Sequence, residues 1–113
     1  MIQRDWFEQH IEILAQAIGA ALGLKEKGEI QASIAGIETA VQKIFGMSPK
    51  LALNLPLNDF IKLTCRGEEP SPKLLSTLAK LFQEWADLLK AAGRDQDAEL
   101  ARIRAREAAQ LNA

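Results

Sequence analysis

Apolar residues recur three and four positions apart along most of this 113-residue chain, and glycine residues or Ser-Pro pairs interrupt the pattern at intervals. A spacing of three and four places apolar side chains on one face of an α-helix. A glycine just past a helix end favours termination there, and a serine followed by proline favours a new helix start. Since no segment requires a β-strand, we expect an all-α protein.

This punctuation predicts five to six helices in one bundle. Gly28 separates the first two helices and Gly93 separates the last two, so each pair should form an antiparallel hairpin. Between the hairpins, Ser48-Pro49 begins the first of two short helices and Pro56 interrupts it before the second. Ser71-Pro72 begins the next helix, and Asp95 or Asp97 can cap the last one. The expected organisation is a single domain over residues 1–113, with a hairpin over 5–46, a short-helix insert over 47–70 and a hairpin over 71–111.

Small residues suggest how each hairpin packs. A glycine inside a helix costs roughly 1 kcal/mol relative to alanine, so a close helix contact is expected to offset it. In the first hairpin two stripes of small residues would face each other, namely Ala15, Gly19 and Gly23 against Ala40, Gly36 and Ala32. In the second hairpin the same alignment pairs Leu89 with Ala98, Ala86 with Ala101, Phe82 with Ala105 and Ala79 with Ala108.

Both hairpins resemble tetratricopeptide repeats. The second places residues at that repeat's bulky, small, bulky, glycine and two alanine positions, which are Trp85, Ala86, Leu89, Gly93, Ala98 and Ala105. The corresponding positions of the first hairpin are Ala21, Gly28, Ser33 and Ala40. Arg102 stands where the repeat usually has an aromatic residue, and two hairpins around an insert are fewer than the three units of a full array. The resemblance implies tetratricopeptide-like helical hairpins.

Nearly the whole chain is also similar to a family of small, uncharacterised helical proteins, a domain of unknown function found mainly in Gram-positive bacteria. The resemblance is carried by Arg4, Asp5 and Trp6, and by the segment that runs from Ile18 through Gly28 to Ile34. It implies a tetratricopeptide-like fold and a cytoplasmic location, and it brings no catalytic residues.

Charge and cysteine content narrow the class of partner. Fourteen Lys and Arg residues against fifteen Asp and Glu residues give a net charge of −1, too small for a field that recruits nucleic acid or an anionic membrane. The single cysteine excludes an internal disulfide framework, and no apolar run reaches the roughly 18 residues that cross a bilayer. The N-terminus also lacks the pattern of a secretory signal, so a cytoplasmic protein without nucleic-acid or membrane partners is expected.

Few residues could carry chemistry. His10, the only histidine, lies between Glu8 and Glu12, and Cys65 lies beside Arg66. A general base needs an orienting partner and a substrate pocket, and a metal site gathers several ligands, so neither residue alone predicts a site. We expect no catalytic residue, no metal and no cofactor, and therefore no enzyme.

Arginines make the last helix locally basic. Arg102 and Arg106 share a helix face and Arg104 points away from them, so the basic stripe is divided. Glu99 and Glu107 are spaced to form ordinary surface pairs with these arginines. A solvated face is the preferred interpretation over a nucleic-acid interface.

Broad apolar arcs on the first and fifth helices exceed what one helix contact needs. They fit either interior helices of a compact bundle or a surface for a protein partner or homo-oligomer. The candidate contact residues are Trp6, Phe7, His10 and Trp85, although Trp85 fits a core position equally well. We expect a non-enzymatic protein-interaction or self-associating module. The alternative is a small-molecule-binding or accessory enzyme protein with a pocket between the insert and the hairpins.

Overall fold

The computed structural model describes the backbone of residues 2–112 and the side chains of residues 8–112. Within this range the chain is all-α, as predicted, and no strand is present. The six helices are α1 (Ile2–Glu26), α2 (Ile30–Phe45), α3 (Pro49–Asn54), α4 (Leu57–Cys65), α5 (Pro72–Ala91) and α6 (Asp95–Leu111).

The two hairpin turns have the same backbone conformation. Gly28 and Gly93 adopt positive φ angles of 80° and 79°. In the first turn the Glu29 N–H donates to the Leu24 carbonyl at 2.9 Å, and in the second the Arg94 N–H donates to the Leu89 carbonyl at 2.9 Å. Both are the six-to-one bond of a Schellman motif, which requires a left-handed residue just before the donor. The prediction that glycine ends both helices is confirmed.

The N-caps predicted at serine residues are confirmed, and the N-cap predicted at an aspartate is wrong. The Ser48 and Ser71 hydroxyls accept hydrogen bonds from the N–H groups of Leu51 and Leu74, at 3.2 and 3.1 Å. The prediction that Asp95 or Asp97 caps α6 is wrong, because Arg94 occupies the cap position and its side chain makes no cap bond. The Schellman turn leaves only one residue between Gly93 and the first residue of α6, so the aspartates lie inside the first turn. Carboxylates there are stabilised by the helix dipole.

The small-residue stripes of the first hairpin do not face each other, and that prediction is wrong. Ala15, Gly19 and Gly23 are exposed on α1, as are Ala32 and Gly36 on α2. A Cβ atom added to any of these glycines would meet no heavy atom within 4 Å. Large apolar residues take the inner faces instead, because burial free energy grows with apolar area. They are Ile11 and Leu14 on α1, and Ile34, Ile37 and Val41 on α2.

The first hairpin has buried small residues at Ala21 and Ser33, which lie on other faces of α1 and α2 than the predicted stripes. Both are almost fully buried, and the Ser33 hydroxyl donates to the Ala21 carbonyl. Their counterparts 65 residues later in the sequence, Ala86 and Ala98, are buried in the second hairpin. These are the small positions of the repeat resemblance, and serine fits there because its hydroxyl finds a backbone acceptor.

The second hairpin packs with the residues that the alignment predicted on its inner face. All eight are buried except Ala79, which is half-buried. The contact between α5 and α6 is the most extensive in the described chain, because alanines along α6 allow the large side chains of α5 to approach its backbone. The pairing of large with small residues therefore fits the observed burial.

One continuous core connects the hairpins to the insert. α1 packs on α2 and α5, while α3 and α4 both contact α6. A row of aromatic rings crosses the molecule from α2 through α4 to α5. Ring centroids are 4.8 Å apart for Phe45 and Phe60, 5.8 Å for Phe60 and Phe82, and 5.9 Å for Phe82 and Trp85.

Surface glycines lead to a first prediction. We expect Gly19→Ala and Gly36→Ala each to raise the free energy of unfolding by about 0.5–1 kcal/mol, because the new methyl groups enter open space and stiffen the unfolded chain. Urea denaturation followed by circular dichroism at 222 nm measures this. Gly93→Ala is the matched control and should lower stability by about 1–2 kcal/mol, because Gly93 has a φ of 79°. Destabilisation by Gly19→Ala would mean that another helix lies against this face.

Candidate functional site

A groove of about 500 Å³ opens between α1, α5 and α6. The groove is open because the short side chains of Ala79, Ala105 and Ala109 do not fill the space between the neighbouring helices. Leu22 stands at its edge and remains 41% exposed, while Ile18 is partly buried against the core. The lining residues are Ile18, Leu22, Ala79, Lys80, Gln83, Glu84, Ala105, Arg106 and Ala109. The groove therefore has apolar walls that water reaches.

Charged side chains at this groove are mostly cationic. Lys80 is exposed, and the Arg106 side chain is 63% exposed. Glu84, the carboxylate of the lining, is 14% exposed at its side chain and pairs with Lys25 at 3.3 Å between Oε1 and Nζ. Arg106 has only a long contact with Glu99, of 3.8 Å between Nη2 and Oε1. Because Lys25 already neutralises Glu84, the charge that the groove offers to a ligand is positive.

A second pocket, of about 400 Å³, lies between the insert and both hairpins. Its polar groups already contact one another. The Arg94 guanidinium donates to Asp97 Oδ2 at 2.8 Å and lies 3.7 Å from Glu38 Oε2. The same Glu38 oxygen accepts a hydrogen bond from Trp85 Nε1 at 3.3 Å. The pocket is lined by Glu38, Ser48, Pro49, Lys50, Leu53, Arg94 and Asp97.

An ion pair between buried Arg104 and half-buried Glu107 joins α6 to the insert. Arg104 is 8% exposed, and its Nε donates to the Leu53 carbonyl at 3.1 Å. Its Nη1 donates to Glu107 Oε1 at 2.6 Å, and that oxygen also accepts the Leu57 N–H at 3.1 Å. Leu53 lies in the last turn of α3 and Leu57 is the first residue of α4, so each backbone group lacks an intrahelical partner. We call the side chains of Arg104 and Glu107 the insert clamp.

The insert clamp corrects the interpretation of the arginines. Arg104 does point away from Arg102 and Arg106, and it pairs with Glu107 three residues later, both as predicted. The pair is not an ordinary surface pair, because the Arg104 side chain is 9% exposed and the Glu107 side chain is 35% exposed. The sequence contained one signal for this position. Arg104 falls three and four residues from Ala101 and Ala108, both of which lie on the buried face of α6. Arg102 and Glu99, at 3.3 Å, form the surface pair that was predicted.

The candidate contact residues do not gather at one place. Trp85 is fully buried, with its ring stacked on Phe82, so it occupies the core position that the sequence left open. His10 is half-buried on α1. Trp6 and Phe7 belong to α1 but lie outside the residues whose side chains the structure describes. Sequence patterns missed the groove residues because a groove depends on how three helices are placed relative to one another.

The remaining chemical candidate is Cys65, a buried residue at the end of α4. Burial raises the pKa of the Cys65 thiol, and the neighbouring Thr64 hydroxyl lowers it by a smaller amount. A thiol of raised pKa is a weaker nucleophile at neutral pH, because less of it is thiolate. Among the described residues, no three His, Cys, Asp or Glu side chains form a group that could hold a metal ion. No described helix is long and apolar enough to cross a membrane.

Comparison of the chain with protein-family models, with curated proteins and with solved structures finds no significant match.

Proposed function

We propose that this chain is a non-enzymatic, cytoplasmic interaction module that binds a protein partner or a second copy of itself through the groove of α1, α5 and α6. The single observation that carries the proposal is the groove itself, whose apolar walls and exposed Leu22 have no covering element in the described chain. Apolar grooves between helices are a common way to receive a peptide or helix. The resemblance of both hairpins to tetratricopeptide repeats supports the same function, because hairpins of that kind commonly bind a partner helix or peptide.

The native mass of the complex tests this proposal. We expect the 12.4 kDa chain, purified gently from its own cells, to carry extra mass of protein size or to appear as a clean multiple. Leu22→Arg should remove that extra mass, because a buried, unpaired guanidinium prevents an apolar partner from docking. Leu63→Arg is the matched control, since Leu63 on α4 is 62% exposed and lies outside the groove.

Two results would contradict the proposal. A bare monomer before any substitution would exclude a stable complex, and a complex that survives Leu22→Arg would exclude this groove as its site. Circular dichroism of both variants separates loss of binding from loss of folding. Because Leu22 is already 41% exposed, a charged side chain there should leave the helical signal unchanged.

A second candidate function is small-molecule binding, with or without an accessory role to an enzyme. The observation that favours it is the pocket of about 400 Å³ between the insert and the hairpins. The same mass measurement distinguishes the two functions. Extra mass of a few hundred daltons that persists in the Leu22→Arg variant would favour this pocket over the groove.

A further inference from the structure

We infer that the groove binds an amphipathic helix whose carboxylates lie beside its apolar stripe. This inference rests on the proposed function and adds the chemistry of the partner to it. Two independent properties of the groove support the inference, its shape and its charge. A second copy of this chain, an unstructured peptide or a basic helix are the competing occupants that the experiment below distinguishes.

The shape of the groove suits a rod. On α1, Ile18 and Leu22 line it, and the exposed Ala15 and Gly19 share their face at helical spacing. This face is two helical turns long, or about 11 Å. The opposite wall, on α6, is formed by the small side chains of Ala105 and Ala109. The small residues on α6 let a helix axis approach closely, and apolar side chains of that helix can then pack against Ile18 and Leu22 on α1.

The charge of the groove selects carboxylates. Its exposed ionic groups are the Lys80 amine and the Arg106 guanidinium. Glu84 would repel an acidic partner, but its side chain is mostly buried and bonded to Lys25 at 3.3 Å. Charges at the edge of an interface contribute mainly to specificity and to the rate of association. The apolar stripe should therefore supply most of the affinity, while the cations exclude basic helices.

A matched pair of synthetic peptides tests the charge preference. Both probes are labelled 20-residue helices with the same leucine stripe, and the flanking positions carry either glutamate or lysine. In fluorescence anisotropy at low ionic strength, we expect the glutamate peptide to bind at least about tenfold more tightly. The difference should shrink as salt is added, because the Debye length falls from about 30 Å at 0.01 M to about 3 Å at 1 M.

Charge reversal in the groove should reverse the preference. The double variant Lys80→Glu, Arg106→Glu is expected to favour the lysine peptide over the glutamate peptide. The control double variant Lys43→Glu, Lys62→Glu makes the same change in net charge at exposed positions outside the groove, and it should keep the original preference. A preference that changes equally in both double variants would reflect total charge only, and it would overturn the inference.

Other outcomes separate this inference from the proposed function. Equal binding of both peptides would remove the charge preference, and weak binding of both would exclude an amphipathic helix as the occupant. In either case the proposed function stands if Leu22→Arg still releases the native partner. Release of a second copy of the chain by Leu22→Arg, together with failure of the glutamate peptide to compete with that copy, would replace the acidic helix by self-association.

Discussion

Replacement of Arg104 by methionine is expected to lower the free energy of unfolding by about 3 kcal/mol, although methionine preserves much of the side-chain volume. The change removes the hydrogen bond to the Leu53 carbonyl, which then lacks its side-chain partner, and it leaves Glu107 without its cation. An unsatisfied buried polar group costs about 1–3 kcal/mol. The Glu107 carboxylate adds a smaller amount, because its side chain is 35% exposed and water reaches it. Since a domain of this size has about 5–15 kcal/mol of stability in total, the loss should be easy to measure.

Urea denaturation of three variants assigns this loss to the insert clamp. Arg106→Met changes a mostly exposed arginine two residues away and should shift stability by no more than about 0.5 kcal/mol. The double variant Arg104→Met, Glu107→Leu should stay destabilised, because the Leu53 carbonyl and the Leu57 N–H both lose their partners. If the double variant regains wild-type stability, the clamp is an exchangeable ion pair and does not serve the backbone of the insert.

The insert clamp also links the insert to the proposed groove. Arg104 and Glu107 hold one side of α6 to the junction of α3 and α4, while Ala105 and Ala109 of the same helix form a groove wall. Two contacts therefore hold this wall in place. α6 is hydrogen-bonded to the insert, and it packs against α5. The insert is therefore bonded to the same helix that forms one wall of the groove.

Local signals in the sequence predicted most of the secondary structure. Ser48 and Ser71 before proline, and Gly28 and Gly93 at the turns, act through the backbone of their own neighbourhood. Such residues specify a helix end without reference to the rest of the chain. The failed cap at Asp95 has the same origin, because the preceding Schellman turn had already fixed where α6 begins.

Helix faces were harder to predict, because two patterns competed on the same helices. In α2 the stripe of Ala32 and Gly36 predicted an inner face that proved to be solvent-exposed. The stripe of Ile34, Ile37 and Val41 buries far more apolar area, so it determines the orientation of the helix. Residue spacing alone identifies both stripes, and the apolar area that each stripe can bury determines which one faces the core. The spacing of Arg104 and Glu107 predicted that they would pair, but it could not predict their bonds to Leu57 and Leu53, which lie 50 and 51 positions away. The groove could not be predicted for the same reason, since it joins α1 to the distant helices α5 and α6.

The second large effect concerns Trp85, the candidate contact residue that lies in the core. We expect Trp85→Ala to lower the free energy of unfolding by about 3–5 kcal/mol, because it opens a large cavity beside Phe82. It also removes the indole N–H that donates to Glu38 at 3.3 Å. Trp85→Phe fills most of that space, so it should cost less, and the difference between the two variants measures the part due to packing.

Fluorescence tests the same placement with Trp85 left in place. The chain has two tryptophans, so Trp6→Phe leaves Trp85 as the sole indole emitter. We expect this emission to be blue-shifted and poorly quenched by iodide in the folded protein, and to become accessible to iodide only above the urea midpoint. Strong quenching in the native state would show that Trp85 reaches the surface, and a nearly unchanged stability in Trp85→Ala would agree with it. Either result would return Trp85 to the contact surface, whereas protection from iodide leaves the groove at Leu22 as the proposed site.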